Sequence, residues 1–181
     1  MVRKTLITTV VATLFGVSTA NATVYKFAFE SFDAELTAAG QITVNAAGEV
    51  TGVSGMISGL ANQTISAVTP NPNFSSTAYS PDGSFIYDNL YHASGMPFDV
   101  DGLLFVTAQD PGGYWNLWGN SPGNYSLWES AGSYNYPIEE SGNLSVTATP
   151  EPSIWAMLLI GFTGLGFAGY RSTKRTAAAA A

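Results

Sequence analysis

Glycine and proline interrupt residues 23–149 so often that this segment cannot form long helices. It contains 14 Gly and 7 Pro, both of which are unfavourable inside helices. Between them lie short runs in which apolar and polar residues alternate, which is the period of a strand with one buried face. Val24–Glu30, for example, places three aromatic side chains on one face: Tyr25, Phe27 and Phe29.

The alternating runs predict nine strands. They cover Val24–Glu30, Gly40–Asn45, Glu49–Ser58, Thr64–Thr69, Ser84–Tyr91, Leu103–Gln109, Tyr114–Trp118, Tyr125–Glu129 and Asn143–Thr149. The one helical candidate, Phe32–Ala39, is too short to be stable alone. Short strands separated by regular turn signals favour an all-β domain, either a small antiparallel β-sandwich or a barrel.

Charge and cysteine content exclude several classes of protein. The 181 residues include no Cys, which excludes a disulfide framework, a thiolate metal site and a cysteine nucleophile. The chain has 13 acidic and 6 basic residues, and within residues 23–149 Lys26 is the only Lys or Arg against twelve acids. This balance argues against a nucleic-acid partner, which requires a basic surface.

The first 22 residues have the three parts of a secretory signal peptide. Positive charge at Arg3 and Lys4 precedes an uncharged, mostly apolar run over residues 5–17. Ala20 and Ala22 then form an A-x-A cleavage site. A buried N-terminal helix or strand is the alternative, but the order of the three parts favours export by the Sec machinery.

The C-terminal part contains an uncharged run long enough to cross a membrane. Ser153–Tyr170 would span about 27 Å as a helix, close to the thickness of a hydrocarbon core. Its four glycines disfavour the alternative of a soluble core helix. The run is followed by the basic cluster Arg171, Lys174 and Arg175, which the positive-inside rule keeps in the cytoplasm. Residues 23–149 are therefore expected outside.

A Pro-Glu-Pro motif, Pro150-Glu151-Pro152, stands directly before this run. The order of motif, apolar run and basic cluster, behind a signal peptide, resembles the PEP-CTERM sorting domain of Gram-negative bacterial proteins. The sequence PEPSIWAMLLIGFTGLGFAGYR is similar to the PEP-x-x-WAM subtype. It departs from that subtype at Ile160 and Thr163, and fewer basic residues follow it. The resemblance covers about residues 149–175, and an Ala-rich tail follows over 176–181.

The resemblance implies a sorting route. Such proteins are exported, held in the inner membrane by the C-terminal helix, and recognised by exosortase, a membrane-embedded cysteine-protease-like transpeptidase. The resemblance implies that exosortase acts at the Pro-Glu-Pro motif and releases or transfers the protein to the cell surface or the extracellular matrix. The two prolines keep Glu151 out of a helix, so the motif is a substrate for another protein and not a catalytic site. A plain single-pass anchor is the alternative.

The exported segment lacks a recognisable catalytic motif. His92 is the only histidine, no G-x-S-x-G motif occurs, and a place in a loop or at a strand edge is expected for it. Two pairs of acids, Asp99 with Asp101 and Glu139 with Glu140, meet the minimum needs of a glycosidase. With twelve acids such pairs arise by chance, so a secreted hydrolase is only the second alternative, and no enzymatic activity or cofactor is predicted.

The segment Asp99-Val100-Asp101-Gly102 is a weak candidate for a calcium site. Its D-x-D-G spacing is that of half a calcium loop, and calcium takes six to eight oxygen ligands. The closing Glu of an EF-hand is missing. A hairpin turn at Asp101-Gly102 explains the residues equally well, so no metal site is assigned.

Aromatic residues concentrate between Tyr114 and Tyr136, with asparagines interleaved. Aromatic faces beside amide groups can form a sugar-binding surface. The candidates for glycan contacts are Trp115, Trp118, Tyr125 and Trp128. The alternative, which the composition favours, is that these rings form the core and the cross-strand pairs of a β-domain.

Together these features predict a non-enzymatic protein of the cell envelope or extracellular matrix. The expected parts are a signal peptide over 1–22, an all-β domain over 23–148 and a sorting domain over 149–175 with a membrane helix at about 153–170. Exosortase, the Sec machinery, the membrane and extracellular polysaccharide are the expected partners. A carbohydrate-binding module is the first alternative for the molecular activity.

Overall fold

Strands dominate the computed structural model, which describes residues 22–73, 76–130, 137–149 and 158–163. Ten strands lie in these ranges: β1 (Thr23–Ser31), β2 (Leu36–Val44), β3 (Val50–Gly59), β4 (Gln63–Val68), β5 (Ala78–Tyr79), β6 (Ile86–Tyr87), β7 (Leu103–Thr107), β8 (Tyr114–Ser121), β9 (Asn124–Glu129) and β10 (Glu139–Ala148). Residues 158–163 form a short helix. The all-β prediction is confirmed.

Eight of the strands form a closed antiparallel barrel. Their order around the barrel is β1-β10-β9-β8-β7-β4-β3-β2. The first strand closes the ring by pairing with the last, from Tyr25 opposite Ala148 to Ser31 opposite Gly142. Of the two architectures that the sequence left open, the structure therefore has the barrel.

Alternation along the strands sends one set of side chains into the barrel. These side chains are almost fully buried and form the main core; they include Phe27, Phe29, Ile42, Ile57, Ile65, Phe105, Trp115, Leu117 and Leu127. Phe27 and Phe29 on β1, and Trp115 and Leu117 on β8, belong to this set and are two residues apart on their strands. On β1 this alternation is the pattern that predicted the strand.

A small polar network lies among the core side chains. Gln63 Nε2 donates a hydrogen bond to Glu129 Oε1 at 3.1 Å, and Gln63 Oε1 accepts from Trp115 Nε1 at 3.2 Å and from the hydroxyl of Thr107. Glu129 is fully buried, and this burial raises the pKa of its carboxyl. The network links β4, β7, β8 and β9 inside the barrel.

The segment between β4 and β7, residues 69–102, contributes no strand to the barrel, and we call it the cap segment; its Phe98 belongs to the main core. It contains the β5–β6 pair and packs on the outer face of β7, β8 and β9. Its contacts bury Leu104 on β7, while the next residue, Phe105, belongs to the main core. Both faces of this part of the barrel wall are therefore buried.

The predicted strand over Ser84–Tyr91 is wrong for most of its length, because only Ile86–Tyr87 forms a strand. The backbone turns after Tyr87. Asp88 Oδ1 accepts a hydrogen bond from the Leu90 N–H at 2.9 Å, and Asn89 has a φ of 59°. A side chain that bonds to the backbone two residues on favours such a turn over a strand.

The helical candidate Phe32–Ala39 forms a turn followed by a strand. The turn is closed by side-chain oxygens, since Ser31 Oγ accepts from the Leu36 N–H at 3.0 Å and Asp33 Oδ1 accepts from the Glu35 N–H at 3.1 Å. Strand β2 then begins at Leu36, four residues before the predicted start.

Most of the predicted signal peptide and sorting domain lies outside the described residues. This applies to Ala20, to Pro150, Glu151 and Pro152, and to Arg171, Lys174 and Arg175, whereas Ala22 is described and exposed just before β1. Within the described ranges, no helix is long and apolar enough to cross a membrane. The strands themselves lie within Thr23–Ala148.

Replacing Gly40 by Ala is expected to destabilise the barrel. Gly40 lies opposite Gly55 where β2 and β3 pair, and a Cβ there would overlap the backbone carbonyl oxygen of Ser54 and lie 2.8 Å from the Gly55 Cα. Since backbone atoms in a sheet cannot move aside cheaply, the free energy of unfolding should fall by about 1–3 kcal/mol. Urea unfolding of the purified protein, followed by tryptophan fluorescence, measures the change.

Gly52→Ala is the matched control on the same strand pair. A Cβ at position 52 would lie 3.5 Å from Thr43 Oγ1, an ordinary contact, so a change within about 0.5 kcal/mol is expected. Equal unfolding midpoints for Gly40→Ala and the unsubstituted protein would contradict the close approach of β2 and β3.

Candidate functional site

The cap segment leaves part of the outer barrel wall uncovered, and the opening is a cleft of about 300 Å³. Its walls come from the cap segment on one side and from β8 and β9 on the other. The lining side chains are Phe85, Ile86, Val100, Asp101, Trp118 and Trp128, and Ser84 and Asn116 complete it. We call this opening the tryptophan cleft.

Three aromatic rings give the tryptophan cleft a defined wall. The ring centroids of Trp118 and Trp128 are 6.1 Å apart, and Phe85 lies 5.8 Å from Trp128 and 6.4 Å from Trp118. Both tryptophans are half-buried. The Trp118 indole N–H donates to Asn120 Oδ1 at 3.1 Å, which fixes the orientation of that ring. Partial exposure with a fixed orientation suits a surface that binds a ligand.

Asn116 ties the two sides of the tryptophan cleft together. Its Nδ2 donates to the backbone oxygens of Ile86 at 3.3 Å and of Asp101 at 3.1 Å, both in the cap segment. The side chain is 2% exposed, and its Oδ1 has no hydrogen-bond partner among the described residues. Nε1 of Trp128 also has no hydrogen-bond partner among the described residues, and Trp128 lies directly opposite Asn116 on β9.

The four aromatic candidates for glycan binding divide between the two faces of the wall. Trp115 is fully buried and Tyr125 nearly so, and both point into the barrel, so these two belong to the core and not to a binding surface. Trp118 and Trp128 point outward into the tryptophan cleft. The sequence-based alternative of a sugar-binding surface therefore reduces to these two side chains.

Asp99 and Asp101 come together with Asp88, a residue that the sequence did not single out. Carboxylate oxygens of the three lie within 4.8 Å of one another, and we call the three the aspartate cluster. Asp88 is almost fully buried, and the other two are half-buried. His92, which lies in a loop as expected, has its Nε2 3.6 Å from Asp99 Oδ2.

Burial and like charge act together on Asp88. Loss of hydration raises the pKa of its carboxyl to about 6, and the charges of Asp99 and Asp101 act in the same direction, against the opposing effect of the Leu90 N–H. Burial, followed by the charge of Asp99, also raises the pKa of Asp101. The cluster therefore concentrates negative charge beside the tryptophan cleft, which Asp101 also lines.

The aspartate cluster supplies only part of a calcium site. Calcium takes six to eight oxygen ligands, and the cluster offers three carboxylates. Two backbone oxygens of the cluster residues already accept hydrogen bonds: that of Asp99 from the Gly119 N–H at 2.8 Å and that of Asp101 from Asn116 Nδ2. A hairpin-type turn also fits, since Asp99 Oδ1 accepts from the Asp101 N–H at 3.0 Å and Gly102 has a φ of 74°.

The second acidic pair is not arranged as a catalytic pair. Glu139 and Glu140 are neighbours on β10, so their side chains point to opposite faces of the sheet. Glu139 is exposed and Glu140 half-buried.

Comparison with known proteins adds no assignment. No protein-family model, curated protein or solved structure matches this chain. The geometry of the tryptophan cleft and of the aspartate cluster is therefore the structural basis for a functional proposal.

Sequence reasoning missed Asp88 and Phe85, and it counted Asn116 only among the asparagines interleaved with the aromatic residues. Phe85 and Asn116 meet in the cleft because the cap segment folds back onto β8, a contact between residues about 30 positions apart. Asp88 meets Asp99 and Asp101 within the cap segment itself. A sequence signal did exist for the turn, in the Asp88-Asn89 pair, since both residue types favour turns.

Asp88→Asn is expected to stabilise the protein at neutral pH. The folded pKa of Asp88 is raised from 3.8 to about 6, so the unfolded chain loses this proton first and stability falls as pH rises between these values. Asn keeps the oxygen that accepts from the Leu90 N–H but carries no titrating proton, so the stability of the variant does not fall in this way as pH rises. The gain above pH 6 should be at most about 3 kcal/mol and should vanish below the unfolded pKa of 3.8.

Urea unfolding at a series of pH values measures this difference. Glu30→Gln removes an exposed carboxylate from β1 and serves as the control for the loss of one negative charge. A constant difference between Asp88→Asn and the unsubstituted protein across this range would contradict the buried, charge-repelled environment of Asp88.

Proposed function

We propose that this chain is a non-enzymatic, exported protein of the cell envelope or extracellular matrix, sorted through its Pro-Glu-Pro motif by an exosortase. The proposal rests on the order of signal peptide, motif, apolar run and basic cluster in the sequence. In this proposal the C-terminal segment is a transient anchor in the inner membrane.

The limits of the barrel support this proposal. Every barrel strand lies within Thr23–Ala148, so removal of residues 1–22 and of the segment after Pro152 takes no strand from the barrel. The Thr149 N–H donates to the Val24 oxygen at 2.8 Å, so the polypeptide enters and leaves the barrel at one place. Processing at both ends is thus compatible with an intact domain.

The intact mass of the protein from the native host tests the sorting proposal. Protein from the cell envelope and from the medium should start at Thr23 and end within residues 150–152, with or without added mass. Replacement of Glu151 by Ala should leave the full tail attached and the protein in the inner membrane. A tail that stays attached in the unsubstituted protein would instead identify a plain single-pass anchor.

A second proposal concerns molecular activity: the tryptophan cleft binds carbohydrate. The supporting observation is the half-exposed pair Trp118 and Trp128, held at the mouth of a preformed cleft. Flat indole rings offer apolar area to the face of a sugar ring, and nearby polar groups can bind its hydroxyls. Rigid aromatic side chains also lose little conformational entropy on binding.

Trp118→Ala and Trp128→Ala are each expected to weaken glycan binding at least about tenfold, the equivalent of 1.4 kcal/mol. A glycan array identifies a ligand for the unsubstituted protein, and calorimetry then compares the variants. Phe32→Ala removes an exposed ring from the β1–β2 turn and should bind normally. Circular dichroism checks the fold of each variant. Absence of binding by the unsubstituted protein to every glycan on a broad array would refute carbohydrate binding.

A further inference from the structure

The charge around the tryptophan cleft limits which ligands can enter it. Asp101 lines the cleft, and its carboxylate lies within 4.8 Å of those of Asp88 and Asp99. His92 is the one basic side chain paired with this cluster in the described residues, and it is itself largely exposed. A ligand with negative charge would therefore meet like charge at the wall of the cleft.

The only lysine or arginine of residues 23–149 does not line the cleft. Lys26 lies on β1, two strands from β9 and three from β8, which line the cleft, and four from β7, which begins two residues after Asp101. It cannot neutralise the aspartate cluster at short range, because exposed charges are screened over about 8 Å at physiological salt. The wall at Asp101 is thus available to a positively charged group of a ligand.

The aromatic rings favour the same charge. A cation within about 6 Å of an indole ring is attracted by the negative face of the ring, and tryptophan gives the strongest effect. Trp118 and Trp128, with Phe85 beside them, line the same cleft as Asp101. A positively charged group placed between them would interact with both the rings and the carboxylate.

Unused hydrogen-bonding groups refine the chemistry. The buried Oδ1 of Asn116 is an acceptor without a partner among the described residues, and the Nε1 of Trp128 is a donor in the same condition. Buried polar groups are usually paired in folded proteins. Both atoms are closed to solvent, so a ligand reaches them only when the side chains of the cleft wall shift. An ammonium group then supplies the missing donor and a hydroxyl the missing acceptor, which together are the groups of an amino sugar.

We infer that the tryptophan cleft selects glycans with free amino groups, such as deacetylated amino-sugar chains, over neutral and acidic glycans. This inference rests on the carbohydrate binding proposed above and adds the ligand class. Stacking on Trp118 and Trp128 holds the sugar ring, and Asp101 with the aspartate cluster selects the ammonium group. Uronic-acid chains are rejected by the same charges.

The experiment compares three oligosaccharides of equal length: glucosamine, N-acetylglucosamine and galacturonic acid oligomers. Calorimetry uses the purified full chain in mild detergent, just below neutral pH, where the amino groups are protonated. The glucosamine oligomer should bind at least about tenfold more tightly than its acetylated form, the factor that 1.4 kcal/mol gives. Added salt should reduce this advantage, and the uronic oligomer should not bind.

Variants separate charge from stacking. Asp101→Asn keeps the shape of the side chain and should weaken binding of the glucosamine oligomer while leaving the acetylated oligomer unchanged. Trp118→Ala should weaken both. Glu30→Gln makes the same change of charge on β1, outside the lining of the cleft, and should alter neither.

Each outcome bears on a different claim. Equal affinity for the amino and the acetylated oligomers, or binding of the uronic oligomer, would overturn the selectivity and leave carbohydrate binding in place. Failure of all three oligomers to bind, together with a blank glycan array, would remove carbohydrate binding and the inference with it. Loss of selectivity in Asp101→Asn alone supports the inference most directly.

Discussion

The pairing of β1 with β10 is the interaction on which the rest of the structure depends. It joins residues more than a hundred positions apart, from Tyr25 with Ala148 to Ser31 with Gly142. The strands approach so closely that a Cβ at Gly142 would overlap the Glu30 oxygen. Because this contact closes the ring, no barrel strand has a free edge, and a chain without disulfides gains a continuous hydrogen-bonded wall around one core.

Closure also creates the need for the cap segment. β7 and β8 carry apolar side chains at consecutive positions, so a closed barrel alone would bury Phe105 and Trp115 and leave Leu104 in water. The cap segment covers Leu104 with Phe85 and Tyr87, but it covers Trp118 and Trp128 only in part. The tryptophan cleft is therefore the boundary of a second, smaller core, and its apolar rings are exposed only where that cover ends.

The sequence predicted most of the strands because a half-buried strand needs alternation, as in Val24–Glu30. It could not choose between sandwich and barrel, since that choice depends on the pairing of Tyr25 with Ala148. Nor could the sequence show which aromatic residues belong to the core and which line the cleft. Trp115 and Trp118 are three residues apart on β8, so their side chains point to opposite faces of the sheet. Both faces of that strand are largely apolar, so the sequence does not reveal which of the two rings lies outside the barrel. Asp88 was missed because its partners lie across a turn that the predicted strand Ser84–Tyr91 concealed.

The barrel topology places the two chain ends and the tryptophan cleft at different parts of the barrel. The chain enters and leaves at one end of the barrel, where Thr149 bonds to Val24, and the proposed membrane tail would emerge there. Along β10 the far end begins at Glu139, which pairs with Trp128 on β9. The tryptophan cleft thus opens on the side wall, with Trp128 toward the end away from the tail. If the tail anchors the protein and the cleft binds a ligand, as proposed, the two lie apart on the barrel, so binding would not require prior release of the protein.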